Sequence, residues 1–197
     1  PVLGGITDDT NVAGDGVTND STLTVNGNSE AGATISVYLD GLLIGSPLAN
    51  AGGDWTLDYT GTILADGAYT LTADAMDAAG NLSLMSSALN IQIDTAVPVT
   101  PAITSISTDS GTADGVTNDN TLIWNGSAEP GIATQLFIDS VAIGTAIADG
   151  LGNWTYDYSA VSLADGAYIL TAQSTDLAGN ISALSVDFNI NVDSVPP

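Results

Sequence analysis

Apolar and polar residues alternate along short segments of the chain. Over residues 34–39 every second side chain is apolar, which is the period of a strand with one buried face. Glycine and threonine interrupt every segment that could form a helix, and no apolar spacing of three and four residues persists. The pattern therefore predicts an all-β fold whose first domain has seven strands, at residues 2–7, 22–27, 33–40, 42–48, 54–60, 68–76 and 86–94.

The chain repeats itself with an offset of 99 residues. The run DGVTND at 15–20 returns unchanged at 114–119, and LADGAY at 64–69 returns at 163–168. Roughly half of the residues in 15–94 are identical in 114–193. A segment with two prolines, which interrupt a central strand, lies at 97–101. We therefore expect two domains, at 1–97 and 98–197, and the closing Pro196-Pro197 suggests a piece cut from a longer array.

Seven antiparallel strands in about 99 residues are typical of an immunoglobulin-like sandwich. The predicted fold class is therefore two tandem immunoglobulin-like β-sandwich domains stacked end to end. Asp40-Gly41 is the signal of a type I′ hairpin. Tyr69 and Tyr168 begin the sixth strand of their copies, where such a tyrosine bonds the backbone of the preceding corner. We expect both rings to be largely buried, with each hydroxyl on nearby backbone.

The composition removes many functions. The chain has no Lys, Arg, His or Cys, and its 23 acidic residues give a formal charge of −23. Nucleic-acid binding, catalysis by histidine, lysine or thiol groups, and Cys/His zinc sites are excluded. A hydrophobic fraction of 44% argues against a disordered acidic chain. No apolar run approaches the ~18 residues of a membrane span, and we expect no signal peptide in this sequence.

The acidic residues gather in loops at the ends of each predicted sandwich. Two carboxylates about 5 Å apart repel by roughly 3 kcal/mol at an effective dielectric near 20, and in this chain only a bound cation can offset that repulsion. Carboxylate and carbonyl oxygens are the ligands that calcium prefers. We therefore predict Ca²⁺ as the bound ion, with candidate ligands Asp9, Asp15, Asp20, Glu30, Asp77, Asp94, Asp109, Asp114, Asp119, Glu129, Asp176 and Asp193.

A known family shares this combination of motifs. The chain resembles bacterial immunoglobulin-like repeats from the extender regions of giant RTX and biofilm-associated adhesins secreted by type I systems. The resemblance rests on SEAGA at 29–33, DG at 40–41, GDWT at 53–56, LADG at 64–67, DAAGN at 77–81 and IDT at 93–95, most with counterparts in the second copy.

The resemblance implies domains stiffened by calcium at their linkers, with ligand-binding domains elsewhere on the parent protein. By matching position it implies Asp94 as the linker acid and Glu129 and Asp176 as its partners. It also implies an extracellular, cell-surface location, a role in adhesion and biofilm formation, neighbouring repeats as partners, and a monomer.

The candidate ligands also have structural interpretations. Asp40, Asp66 and Asp165 are expected in turns, where they bond backbone, and the DxAGN loops at 77–81 and 176–180 could be turns alone. The loop from Asp9 to Asp20 shares some EF-hand spacing, but it has no flanking helices and ends on Asp rather than Glu. We treat it as an irregular acidic loop.

Three functions compete. The first is a calcium-rigidified spacer of a surface adhesin. The second is a carbohydrate- or surface-binding module in which exposed aromatic residues such as Trp124 contact the ligand. The third is a glycosidase with paired carboxylates, which needs a deep cleft that a repeated sandwich without large insertions does not offer. We expect no enzyme activity. Acidity alone could also reflect solubility or adaptation to salt, which would spread the acids evenly.

Overall fold

The computed structural model describes residues 1–107 and 114–196. The chain forms two compact units, domain 1 built on Pro1–Ala96 and domain 2 built on Val97–Asp176 with Asn180–Pro197. The described residues form sixteen strands and no helix, which confirms the all-β fold. No helix in this described part is long and apolar enough to cross a membrane.

Domain 1 is a sandwich of two sheets. One sheet has three antiparallel strands in the order β1-β3-β6, namely β1 (Val2–Ile6), β3 (Thr22–Asn28) and β6 (Asp54–Ile63). The other has five strands in the order β2-β8-β7-β4-β5, namely β2 (Val17–Thr18), β8 (Leu89–Ile93), β7 (Gly67–Met76), β4 (Thr34–Leu39) and β5 (Leu42–Gly45). The segment that was predicted as a fourth strand is β5, and it pairs with β4.

Domain 2 repeats this arrangement. Its three-stranded sheet has the order β14-β11-β9, from β14 (Asn153–Asp157), β11 (Ile123–Ser127) and β9 (Ala102–Ile106). Its five-stranded sheet has the order β10-β16-β15-β12-β13, from β10 (Val116–Thr117), β16 (Phe188–Val192), β15 (Gly166–Thr175), β12 (Ala133–Ile138) and β13 (Val141–Ile147). Within the described residues each domain therefore has eight strands, where the sequence analysis expected seven.

The additional strand is the short β2 in domain 1 and the short β10 in domain 2. β2 pairs in parallel with β8, at Val17 with Gln92 and Thr18 with Ile93. Gly16, which precedes it, has φ 76°. A Cβ at Gly16 would lie 2.7 Å from the carbonyl oxygen of Asn90, so only glycine lets the chain come this close to β8.

The predicted hairpin and tyrosine corners are present. Asp40 and Gly41 both have positive φ, at 49° and 80°, as a type I′ turn requires. The hydroxyl of Tyr69 donates to Ala65 O and that of Tyr168 to Ala164 O, both at 2.9 Å. Both rings are only partly buried, less than the large burial that the sequence analysis expected.

Serine hydroxyls extend the five-stranded sheet past the first residue of β8, on its N-terminal side. Ser86 N donates to Ala73 O at 2.7 Å, and Ala73 N donates to Ser86 Oγ at 3.0 Å. Ser83 and Ala75 form the same pair of bonds. Ser182 and Ser185 repeat the arrangement in domain 2. The chain after β7 thus returns along β7, and serine hydroxyls replace backbone carbonyls as acceptors of the β7 N–H groups. For this reason β8 begins at Leu89 rather than at the predicted residue 86.

We expect Ser86→Ala to destabilise domain 1 by about 1–3 kcal/mol, because it leaves the Ala73 N–H without an acceptor. The matched control is Ser87→Ala, since Ser87 is exposed. Thermal unfolding of both variants measures the difference. Equal stability of the two variants would show that the hydroxyl is not needed there.

Candidate calcium-binding loops and the buried aromatics

The loop between β1 and β2 holds the observation that best fits a cation. Asp9 Oδ2 accepts bonds from Gly14 N at 2.7 Å and Gly16 N at 3.3 Å. Asp9 Oδ1 is buried and has no hydrogen-bond partner among the described residues. A buried carboxylate oxygen is unfavourable unless a donor or a cation meets it, and this chain has no basic side chain. The donor set of this loop therefore fits a hard cation such as Ca²⁺.

The next two acids, Asp15 before β2 and Asp20 after it, cap turns. Asp15 Oδ1 accepts from Val17 N at 2.9 Å. Asp20 Oδ1 accepts from Thr22 N at 2.8 Å and Thr22 Oγ1 at 2.7 Å. The counterparts in domain 2 do the same, with Asp114 accepting from Val116 N at 3.1 Å and Asp119 from Thr121 N at 2.9 Å. Asp109, the remaining candidate in this loop of domain 2, lies outside the described residues.

The DxAGN loops are closed by their own side chains. In domain 1, Asp77 Oδ1 accepts from Ala79 N and Asn81 N, and Asp77 Oδ2 accepts from Asn81 Nδ2 at 2.7 Å. These bonds, that of the Asn81 side chain first, hold the pKa of Asp77 below its ordinary value. In domain 2, Asp176 accepts from Asn180 N at 2.8 Å and Asn180 Nδ2 at 2.9 Å. Turn formation accounts for this geometry in both copies.

The two glutamates lie at the same end of their domains as these loops. Glu30 lines an open depression of about 460 Å³ together with Asp77 and Asn81. Glu129 Oε1 accepts from Val99 N at 2.6 Å, so in domain 2 this carboxylate holds the segment that leads into β9.

The acids at the opposite end surround the ends of β8 and β16. Asp94 Oδ1 accepts from Ala96 N at 3.1 Å, and Asp193 Oδ1 accepts from Val195 N at 3.4 Å. Asp66 accepts a hydrogen bond from Thr95 N, and Asp165 accepts from Ser194 N and Oγ, as expected for acids that bind backbone N–H groups. The Ser194 hydroxyl and N–H lower the pKa of Asp165.

A lowered pKa in the folded state means that stability is gained above the ordinary value of 3.8. That stability is lost as the pH falls through the lower folded value. Acidification below 3.8 is therefore expected to loosen the loops around Asp77 and Asp165.

Within the described residues, no group of three or more acidic side chains converges as a metal cluster would. The candidate ligands lie in a few shared loops, and most of them already accept hydrogen bonds from backbone N–H groups. Ligation by the twelve residues remains a prediction.

The expectation of an exposed Trp124 is wrong. Its side chain is 0% exposed and lies in the core of domain 2. Its ring contacts Tyr156 edge-on with centroids 6.4 Å apart, and Tyr158 at 6.2 Å. Buried and less buried residues alternate along β3 and its counterpart β11, and this pattern could have identified the burial of Trp124. Trp124 occupies the inward position that Val25 fills in domain 1. Trp124 therefore does not form a ligand platform.

The sequence analysis also missed Asp74. This acid lies in β7 on the face opposite the core, yet it is only 7% exposed. The signal that could have identified it is the difference between the copies, because Gln173 stands at the matching position of domain 2.

Two curated proteins are similar in sequence. Chitinase A1 of Niallia circulans is 33% identical over 147 residues, which cover 72% of this chain and 20% of that protein. Exoglucanase B of Cellulomonas fimi is 33% identical over 145 residues, or 71% of this chain and 13% of that protein. The chain therefore spans a fifth or less of the length of these relatives.

Solved structures with some similarity include a bacterial ice-binding adhesin, at 23% identity and TM-score 0.42, covering 97% of this chain and 63% of that one. Another is a tetra-tandem repeat from the extending region of a large adhesion protein, at 21% identity and TM-score 0.38, covering 90% and 47%. The family model described as bacterial Ig-like domain matches residues 5–95 and again 97–194. The chain thus belongs to the bacterial Ig-like domain family and carries two copies of that domain in tandem.

Proposed function

We propose that the two domains are spacer repeats of a large extracellular bacterial protein and that calcium stiffens them. The observation that carries the proposal is the repetition of the loop geometry. Asp77 and Asp176, Asp66 and Asp165, and Tyr69 and Tyr168 make matching hydrogen bonds in the two domains. A spacer needs the same ends on every copy, whereas a ligand site is specialised in one copy.

Calcium is the cation that suits this chain. The ligands that we propose at the linker are Asp94 at the end of domain 1, and Glu129 and Asp176 in domain 2. Calcium accepts six to eight oxygens in flexible geometry, so carboxylates that already hold backbone N–H groups can still supply a second lone pair. Bound calcium would supply the positive charge that the chain lacks and limit rotation about the linker.

The parent protein that we propose is a cell-surface adhesin active in biofilm formation, of the RTX type with type I secretion. Neighbouring repeats of the same chain are the proposed partners. A spacer role has no need of catalytic groups, and we propose none for these domains.

A second candidate function assigns the same Ig-like domains to a different kind of parent protein. The two curated relatives are named as a chitinase and an exoglucanase, and most of each lies outside the matched region. The pair of domains would then be a carbohydrate-binding part of a secreted polysaccharide-degrading protein. Sedimentation with insoluble chitin and cellulose separates the candidates, because a spacer stays in the supernatant.

Removal of calcium is expected to lower the melting temperature of both domains by many degrees. A single site at a calcium concentration about 100 times its dissociation constant adds roughly 2.7 kcal/mol, and extracellular calcium modules bind near 0.1–1 mM. Calorimetry of the intact chain in calcium and then in excess EGTA measures the change.

Magnesium serves as the control in this experiment, since it demands stricter octahedral geometry and sheds its water less readily. Full rescue by magnesium would argue against selectivity for calcium. Melting curves that do not change on chelation would refute the calcium proposal and leave the spacer role without its stiffening ion.

A further inference from the structure

The two domains differ at one edge of the five-stranded sheet. Among the described strands, β13 ends this sheet in domain 2 and β5 ends it in domain 1, so each has a neighbour on one side only. β13 runs for seven residues, Val141–Ile147, whereas β5 has four, Leu42–Gly45. Pro47 accounts for the difference, because it stands where domain 2 has Ala146, and proline cannot donate to the ladder.

The last part of β13 presents backbone groups to a further strand. Ala148 N, just after this strand, donates to the carbonyl oxygen of Ile132, just before β12, at 3.1 Å. Alternate residues of an edge strand face its neighbour, so the N–H and C=O groups of Thr145 and Ile147 point away from β12. An extended strand of another molecule can therefore pair with these groups.

This edge lacks the usual protection against pairing. Native edge strands are normally protected by charged side chains, prolines or bulges. The segment 140–148 contains no charged residue, although the chain has 23 acids. Its bulge, at Ile143, comes before the last part of the strand. There Thr145 is exposed and Ile147 is 71% exposed, while Ala146 faces the core.

The sequence of this edge is complementary to itself. When two copies pair antiparallel about a two-fold axis through Ala146, each Ala146 faces its counterpart, and Thr145 of one copy lies opposite Ile147 of the other. β-branched residues such as these are favoured in paired strands. The acid that follows the segment, Asp149, then lies opposite Ile143. A second copy of this acidic chain can therefore approach here without placing two carboxylates directly opposite each other.

We propose that β13 pairs with β13 of a second copy of this chain, in an antiparallel dimer joined by backbone hydrogen bonds between Thr145 and Ile147. The occupant is a second copy because the edge is uncharged and matches itself. Domain 1 makes no such contact, because its edge strand ends before Pro47. A two-fold pairing occupies both edges, so association stops at the dimer. This inference goes beyond the spacer proposal, does not depend on it, and departs from the monomer that the family resemblance implied.

The first test is sedimentation equilibrium of the intact chain in about 0.15 M sodium chloride, where charges are screened beyond about 8 Å, with EGTA to remove calcium. We expect a reversible equilibrium between monomer and dimer and no larger species. The dimer should weaken as the salt is diluted, because two chains of charge −23 then repel more strongly. A chain that stays monomeric up to about 1 mM, or that grows beyond the dimer, would overturn the proposal.

Paired substitutions test the register. Thr145→Glu with Ile147→Glu should abolish the dimer, because each new carboxylate lies opposite another across the axis. Thr145→Lys with Ile147→Glu places opposite charges in the same pairs and should restore it. The matched control is Ser46→Glu with Leu48→Glu, the same charge change at the corresponding exposed positions of domain 1, and it should retain the dimer. A dimer that survives the first variant, is lost in the control, or is not restored by the lysine variant would contradict the pairing.

Amide hydrogen exchange of the ¹⁵N-labelled intact chain locates the contact. As the protein concentration rises, the amides of Thr145 and Ile147 should exchange several-fold more slowly, because they gain acceptors in the second copy. The amides of Ser46 and Leu48 in domain 1 should not change. A dimer in which the Thr145 and Ile147 amides keep their monomer exchange rates would use another surface, and that result would overturn the proposal.

Discussion

Trp124→Ala is expected to destabilise domain 2 by about 3–5 kcal/mol, the usual range when a buried large aromatic residue is truncated. The ring is fully buried and packs against both Tyr156 and Tyr158. Val25 fills the matching place in domain 1, whose core is adapted to a smaller side chain at this position. Chemical denaturation should show one transition at much lower denaturant, with the transition of domain 1 unchanged.

The control for this variant is Leu151→Ala, because Leu151 is a large apolar residue of domain 2 that is 86% exposed. It should change stability by less than about 0.5 kcal/mol. Equal stability of the Trp124→Ala and Leu151→Ala proteins would contradict the packing of the indole in the core of domain 2.

Gly27→Ala is expected to destabilise domain 1 by about 3 kcal/mol, at the upper end of the usual range for overpacked cores. A Cβ at Gly27 would lie 2.3 Å from Cζ2 of Trp55 and 2.3 Å from the carbonyl oxygen of Val2. The indole sits in the core and the carbonyl belongs to the backbone of β1, so neither can move aside without disturbing the sheet.

Gly61→Ala is the matched control, since a Cβ there meets no atom within 4 Å and its φ is not in the left-handed region. Thermal unfolding of both variants gives the comparison. Equal melting temperatures would mean that Trp55 does not pack on β3 as described.

The sequence predicted the strands whose two faces differ in polarity. β4 alternates strictly, and the Asp40-Gly41 turn after it needs positive φ at two consecutive residues, so both were identified correctly. β2 was missed because two residues are too few to show a period. Asn26-Gly27 has the composition of a hairpin turn, yet it lies inside β3, within the predicted strand. Glycine is needed at this position because the Trp55 ring lies where a Cβ would be. The position of that ring depends on the neighbouring strand, which the local sequence does not specify.

The loop acids were harder to interpret, because a turn and a calcium site use the same residue types. Asp77 and Asp66 hold backbone N–H groups in their loops, which satisfies the turn interpretation without testing ligation. Asp74 could not be identified from one copy, since an acid on the outer face of a sheet is normally solvated. Its burial, at 7% exposed, depends on the folded sheet and has no local signal in the sequence.

Small-angle X-ray scattering of the intact chain, in calcium and after chelation, tests the spacer account most directly. With calcium we expect a well-defined maximum dimension, and after chelation a broad ensemble of domain orientations, because the unneutralised acids repel and two prolines restrict the linker without fixing its angle. Asp94→Ala in calcium should reproduce the broad ensemble while both domains stay folded. Identical scattering with and without calcium, or an Asp94→Ala protein as rigid as the parent, would contradict the account.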